Sequence, residues 1–302
     1  MRHWWFCLSF LLVSPAGAFF RPSVEQTVGV DHYSETNVSL DVGKEFHAFS
    51  EFNTYSSDIS SGTYNTYSTR LGYDKGRWGW GVTGGFTPEV EKYSNWFAGA
   101  DAARRFRRTR PALSDDEDKD PFENGAAVRV GAFHAVHFDR TRSMSGTREG
   151  PFIDLDSAAT ISQTDFHLAL NLPVRTALVT LSWVESRYGQ DLSSISENEA
   201  QRISPRGEDF ILRGFPHSSM ATEVDLPVSR KTTPYISFAY ITYELDAPPA
   251  KVYNVGIETK FAGVPIDFSY EYYDSGIKNG VGHYLTLAFG GRYQSLADDR
   301  GW

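Results

Sequence analysis

The chain has 302 residues, with 29 Lys and Arg against 38 Asp and Glu, a formal net charge of -9 and 40% hydrophobic residues. That composition excludes a helical membrane bundle, which needs repeated runs of about 20 apolar residues, and its 15% aromatic content excludes a disordered chain. The acidic balance argues against the basic surface of a nucleic-acid binder, so no nucleic-acid partner is expected.

At the N-terminus, Arg2 and His3 precede the apolar stretch from Trp4 to Val13, and Ala16-Gly17-Ala18 follows as a small-residue cleavage site. Ser14, Pro15 and Gly17 break the apolar run before it reaches the length of a membrane anchor. Residues 1–18 are therefore predicted to be a secretory signal peptide, with Phe19 the first mature residue. The single cysteine, Cys7, falls inside that segment. The mature chain then has no disulfide and must be held by its own hydrogen-bonded sheet and packing.

Residues 19–302 read as one domain built of strands. Apolar and polar side chains alternate with the period of two that places them on opposite faces of a sheet. Strands are predicted at 25–33, 36–42, 46–57, 63–73, 77–87, 91–106, 125–139, 158–171, 175–187, 219–229, 232–245, 251–261, 264–274 and 281–293. The alternation is cleanest near the C-terminus, where Val255, Ile257, Phe268, Tyr270, Leu285 and Leu287 share one face. On the other lie Glu258, Asp267 and Glu271.

Two all-β arrangements fit: a secreted β-sandwich, and an antiparallel transmembrane β-barrel whose apolar face meets lipid and whose polar face lines a lumen. Strand length favours the barrel, because about 10 to 15 alternating residues exceed the usual five or six and suffice to cross a bilayer at a tilt. Aromatic residues at strand ends, namely Trp78, Trp80, Tyr93, Trp96, Trp183, Tyr235, Tyr272 and Tyr293, are expected in girdles at the lipid boundary. The count is fourteen strands, or twelve if 25–42 is an extension, and both are even, as a barrel with both ends on one side requires. The acidic run from Asp115 to Asp120 falls on the side expected to carry short turns.

In its signal peptide, its alternating strands and its closing segment, the chain resembles bacterial outer-membrane β-barrel proteins. The resemblance implies residence in the outer membrane of a Gram-negative-type bacterium, contact with outer-membrane lipid, and delivery by the barrel-insertion machinery. It implies that Leu285, Leu287, Phe289 and Tyr293 form the insertion signal, although nine residues follow Tyr293. A narrower resemblance lies in the last third. Arg213-Gly214-Phe215 sits in the connection 189–218 with five strands after it, as an Arg-Gly-aromatic tripeptide does in the Omp85 superfamily of assembly and secretion barrels. That family carries periplasmic POTRA domains and 16 strands, whereas residues 19–302 are expected to leave no room for such domains and to form fourteen strands or twelve.

The inward face holds the remaining chemistry. The lumen-lining candidates are Arg70, Arg129, His137, Asp165, His167, Glu258, Lys260, Asp267, Glu271 and Arg292. Ionised groups need water or partners, so the lumen is either a solute channel or a barrel closed by ion pairs. Acids and bases nearly balance among these candidates, so cation preference is expected to be weak at most. The connection 189–218 is long for a structureless loop and carries Phe210, Ile211, Leu212 and Phe215. It is expected to fold into the mouth, with Arg213 against Glu258, Asp267 or Glu271.

No catalytic constellation stands out. His217-Ser218-Ser219 and the pair Asp165 and His167 are the weak hints of a lipid hydrolase at the outer leaflet. The acidic run lacks the glycine and spacing of a calcium loop, while His134 and His137 point to opposite faces. No cofactor or metal is expected. The function expected is porin-like passage or gating of small polar solutes, ahead of an Omp85-like assembly barrel and a lipid enzyme.

Overall fold

A computed structural model describes residues 19–30, 32–56, 62–90, 93–107, 126–145, 153–189, 215–229, 231–244, 248–276 and 280–290. They form fourteen strands and no helix: β1 (Phe19–Gly29), β2 (Ser34–Gly43), β3 (Phe46–Ser56), β4 (Tyr64–Lys75), β5 (Trp78–Val90), β6 (Tyr93–Arg107), β7 (Ala126–Ser145), β8 (Ile153–Val174), β9 (Ala177–Tyr188), β10 (Pro216–Asp225), β11 (Thr232–Tyr243), β12 (Ala250–Phe261), β13 (Val264–Asp274) and β14 (Val281–Phe289). Each strand pairs antiparallel with its sequence neighbours, and β1 closes the ring on β14, with Val24 opposite Phe289 and Gly29 opposite Tyr284. The fold is a closed antiparallel barrel of fourteen strands. The twelve-strand alternative fails because β2 is a full member, paired to β1 from Phe19↔Gly43 to Val28↔Ser34 and to β3 along its other edge.

The two rims differ. On one, β2 to β3, β4 to β5, β8 to β9 and β12 to β13 turn within a few residues, and β1 begins and β14 ends there. At Ala262-Gly263 both turn residues have positive φ (52° and 85°), the mirror-image turn that suits the right-handed twist of the flanking strands. The β6–β7 connection leaves from this same turn rim. The opposite, loop rim carries the β9–β10 connection.

Some boundaries differ from the sequence reading. β1 starts at Phe19 rather than 25, since Pro22 reads as a strand breaker yet pairs with Leu40. β10 starts at Pro216 and stops at Asp225, because Pro227 and the turn at 228–229 follow at once. β7 and β8 outrun their neighbours. β6 pairs with β7 as far as Tyr93↔Asp139, and β9 with β8 as far as Gln163↔Tyr188, whereas the β7–β8 ladder continues to Ser145↔Ile153.

The outer face is an apolar belt. Val24, Val28, Val38, Leu71, Val82, Val130, Phe166, Leu181, Ile236, Val255, Phe268, Leu285 and Leu287 are all exposed on it. A water-soluble monomer does not expose a continuous apolar surface of this extent, so the belt faces lipid and the molecule is a transmembrane β-barrel. Aromatic rows edge the belt. Near the turn rim Phe46 meets Tyr73 (4.4 Å between ring centroids), Tyr73 meets Trp80, and Arg104 lies 4.8 Å over Trp78. Toward the loop rim Tyr253, Tyr272 and His283 form a second row. Two of the residues expected in these girdles belong elsewhere. Tyr93 and Tyr235 are 2% and 3% exposed and point inward. Position near a strand end suggested a girdle, but parity decides. Trp96 faces lipid, so Tyr93, three residues away, cannot.

Candidate functional site

The inner wall is laid down by the same alternation, and its large side chains lie flat against it because glycines make room. Arg70 on β4 reaches across β5 to Asp101 on β6, donating Nε to Oδ2 at 2.9 Å and Nη2 to Oδ1 at 2.8 Å. The guanidinium passes directly over Gly81, where an added Cβ would sit 2.5 Å from Cζ. Arg70 Nη1 also lies 3.0 Å from His47 Nε2, and His47 is 3.6 Å from Asp74. The same device recurs on β12. The Tyr235 ring lies over Gly256 and its hydroxyl donates to Asp267 Oδ1 at 2.9 Å. Phe97 covers Gly85 and Phe133 covers Gly99 in like manner.

This packing carries a test. Gly256→Ala places a methyl group inside the Tyr235 ring and should destabilise the barrel by about 1–3 kcal/mol, the usual cost of overpacking. On the outer face Gly84 has nothing nearer than a carbonyl oxygen at 3.8 Å, so Gly84→Ala should be close to neutral. Denaturant midpoints of the two variants check the difference, and equal midpoints would count against the packing.

The loop rim is collared on the inside by aromatic groups. Tyr55 stacks on Tyr64 (5.0 Å, 7° between planes), Tyr64 meets Tyr93, and the Tyr93 hydroxyl lies 3.0 Å from His137 Nδ1 while accepting from Asn95 at 2.9 Å. Across the mouth, Tyr243, Tyr273 and Tyr284 cluster with Ala250 and pack against Tyr33.

The predicted lining residues fall as follows. Arg70 is held as described, and Arg129 faces inward on β7, in register with Ala103 and Ala169. His137 is 3% exposed, and Asp165, 1% exposed, accepts from Gln163 Nε2 at 2.9 Å. His167 meets the Phe133 ring edge-on at 5.2 Å. Glu258 lies directly opposite Asp267, Lys260 opposite Pro265 and Glu271 opposite Asn254, all on the inner face. Arg292 lies outside the described residues, as do Arg213, Gly214, Tyr293, the run 115–120 and residues 1–18. Phe215 is described. It is 6% exposed, clusters with Tyr93 and Ile161, and meets the Tyr188 ring at 5.1 Å. Leu285, Leu287 and Phe289 lie exposed on the outer face of β14.

The hints of catalysis do not converge. His217 Nδ1 is 2.7 Å from Glu244 Oε1, but the Ser218 hydroxyl bonds to Thr242 at 2.8 Å. His134 bonds outward to Thr164 while His137 faces the lumen.

The sequence reading missed most of the inner charge. Among the described residues, inward carboxylates on the first six strands include Glu25, Glu35, Asp41, Glu51, Asp74 and Asp101, and β10 adds Glu223 and Asp225. The additional inward cations among the described residues are Arg21 and Arg105. Parity against the outward residues Val24, Val38 and Phe52 was the signal that finds the acids on β1 to β3.

No family model matches the chain, and no characterised protein matches it by sequence. Among solved structures it is similar to a loop L8 deletion mutant of OmpT, an outer membrane protein of Vibrio cholerae. There the identity is 10% and the TM-score 0.46, over 90% of this chain and 97% of that one. It is similar to CdiB from Acinetobacter baumannii at 12% identity and TM-score 0.49, over 91% of this chain and 60% of that one. A KdgM porin in complex with disordered oligogalacturonate matches at 7% identity and TM-score 0.39, over 91% and 100% of the two chains. At these scores the likenesses assign neither solute nor partner.

Proposed function

We propose that this chain is an integral barrel of the bacterial outer membrane that passes small polar solutes through a hydrated lumen. The observation that carries the reading is the inner wall, where charged side chains and histidines on β1 to β4, β6 to β8, β10, β12 and β13 occur from one rim to the other inside an apolar outer belt. Ionised groups at so many inward positions are costly in a dry interior and cheap in water. Fourteen strands fall between the eight-stranded barrels filled by side chains and the 16–18-stranded porins with aqueous channels. The turn rim, where β1 begins and β14 ends, faces the periplasm and the loop rim the exterior. The outward row Leu285, Leu287 and Phe289 on β14 supports recognition by the machinery that inserts barrels.

Planar-bilayer recording tests this. The mature protein should give discrete conductance steps, and a variant with 190–214 replaced by a short Gly-Ser linker should conduct at least as well. That replacement spares Phe215 and the start of β10. Absence of steps from both proteins, each shown folded by heat-modifiable mobility, would overturn the channel and favour a closed, structural barrel.

A further inference from the structure

We infer that the lumen passes cations in preference to anions, which rests on the channel reading above and names its solute class. Six neighbouring strands, β12 to β14 and β1 to β3, build a continuous stretch of wall. On it the inward register places Glu258, Asp267 and Glu271, then Glu25 across the β14 seam. Asp41, Glu51 and Glu35 continue the series on β2 and β3.

These acids occur at every height. Glu258, Asp267 and Asp41 lie toward the turn rim, Glu25 and Glu51 near mid-strand, and Glu271 and Glu35 toward the loop rim. The permanent cations described on this wall, Arg21 and Lys260, both lie at the turn rim. On the facing wall Arg70 is already matched by Asp101 in a two-bond pair. Pairing within the lumen cannot alter the sum, since each Arg or Lys neutralises one carboxylate and the described inward carboxylates outnumber the described inward cations.

The surplus has a direct cost. Glu258 and Asp267 are directly opposite across β12 and β13, where like charges destabilise a strand pair. Mobile cations in the lumen relieve that cost, and anions add to it. The hydroxyls of Tyr33 and Tyr235 and the amides of Asn37 and Asn53 hydrogen-bond Glu35, Asp267 and Glu51, holding acids in place without bringing positive charge. A wall potential of about one thermal unit enriches a monovalent cation about 2.7-fold and depletes an anion by about the same factor, a ratio of about seven. Because the Debye length is about 30 Å at 0.01 M salt and about 3 Å at 1 M, the preference should fade as salt rises.

The experiment is reversal-potential measurement on the mature protein across a KCl gradient in dilute salt. The expected potassium-to-chloride permeability ratio is at least about fivefold, falling toward one in molar KCl. The triple variant Glu25→Gln, Glu51→Gln, Glu271→Gln keeps side-chain size and should lower the ratio at least about twofold with conductance retained, given how directly wall charge sets selectivity. Steps with a ratio near one in the wild-type protein would overturn this inference and leave the channel standing. An unchanged ratio in a conducting triple variant would also overturn it. A wild-type protein without steps removes the channel and this inference together.

Discussion

Leu287→Arg should destabilise the barrel by about 2–4 kcal/mol, the cost of a guanidinium on the lipid face near the bilayer midplane. Leu287 is 40% exposed on the outside of β14, beside Phe268, which is 50% exposed and lies near the middle of β13. An arginine there has lipid tails on its open side and apolar neighbours along β13, so its charge reaches water only by extending toward a rim. Leu287→Met, which keeps the volume and adds no charge, should cost less than about 1.5 kcal/mol. Reversible denaturant titration in vesicles, followed by tryptophan fluorescence, measures both. Equal stability of Leu287→Arg and wild type would mean that position 287 does not face lipid.

How much of this was legible depends on how cleanly each strand separates its faces. On β12, β13 and β14 the outward positions are almost all apolar and the inward ones carry Glu258, Asp267 and Glu271, so the sequence alone sets the parity. On β1 to β3 the contrast is blurred. Gln26, Thr36, Ser50 and Thr54 face outward, while Phe49 and Tyr55 are buried on the inside. Alternation then survives as a pattern but not as a guide to which side is which, and the acids of those strands went unassigned. Tyrosine misled for a related reason. It suits a lipid boundary and an inner wall equally, and what settles its side is the parity of the strand it stands on.

Contacts that cross an intervening strand were beyond the sequence for another reason. The Arg70–Asp101 pair spans 31 positions and exists because β4, β5 and β6 are consecutive staves and Gly81 leaves the stave between them bare. An arginine, a glycine and an aspartate at inward parity on three successive strands make a pattern that can be sought once the register is known. Without the register, any of several acids serves equally well. Of the apolar residues in the β9–β10 connection, only Phe215 falls among the described residues, where it packs on the inner wall, and residues 190–214 lie outside them.

That same pair carries the other large expected effect. Arg70→Ala should cost about 3 kcal/mol, at the lower end of the range for removing one partner of a buried pair because water in the lumen offsets part of the loss. The Asp101 side chain is 3% exposed and that of Arg70 12%. Without the guanidinium, Asp101 loses two charge-assisted hydrogen bonds while remaining enclosed between β5 and β7. The double variant Arg70→Ala, Asp101→Ala removes the charge along with its partner and should be more stable than Arg70→Ala alone, since the pair as a whole contributes far less than the penalty of halving it. A thermodynamic cycle over wild type, the two single variants and the double variant, measured by denaturant titration, yields the coupling directly. Strictly additive costs, with coupling below about 0.5 kcal/mol, would show that lumen water screens the pair as fully as it would a surface salt bridge.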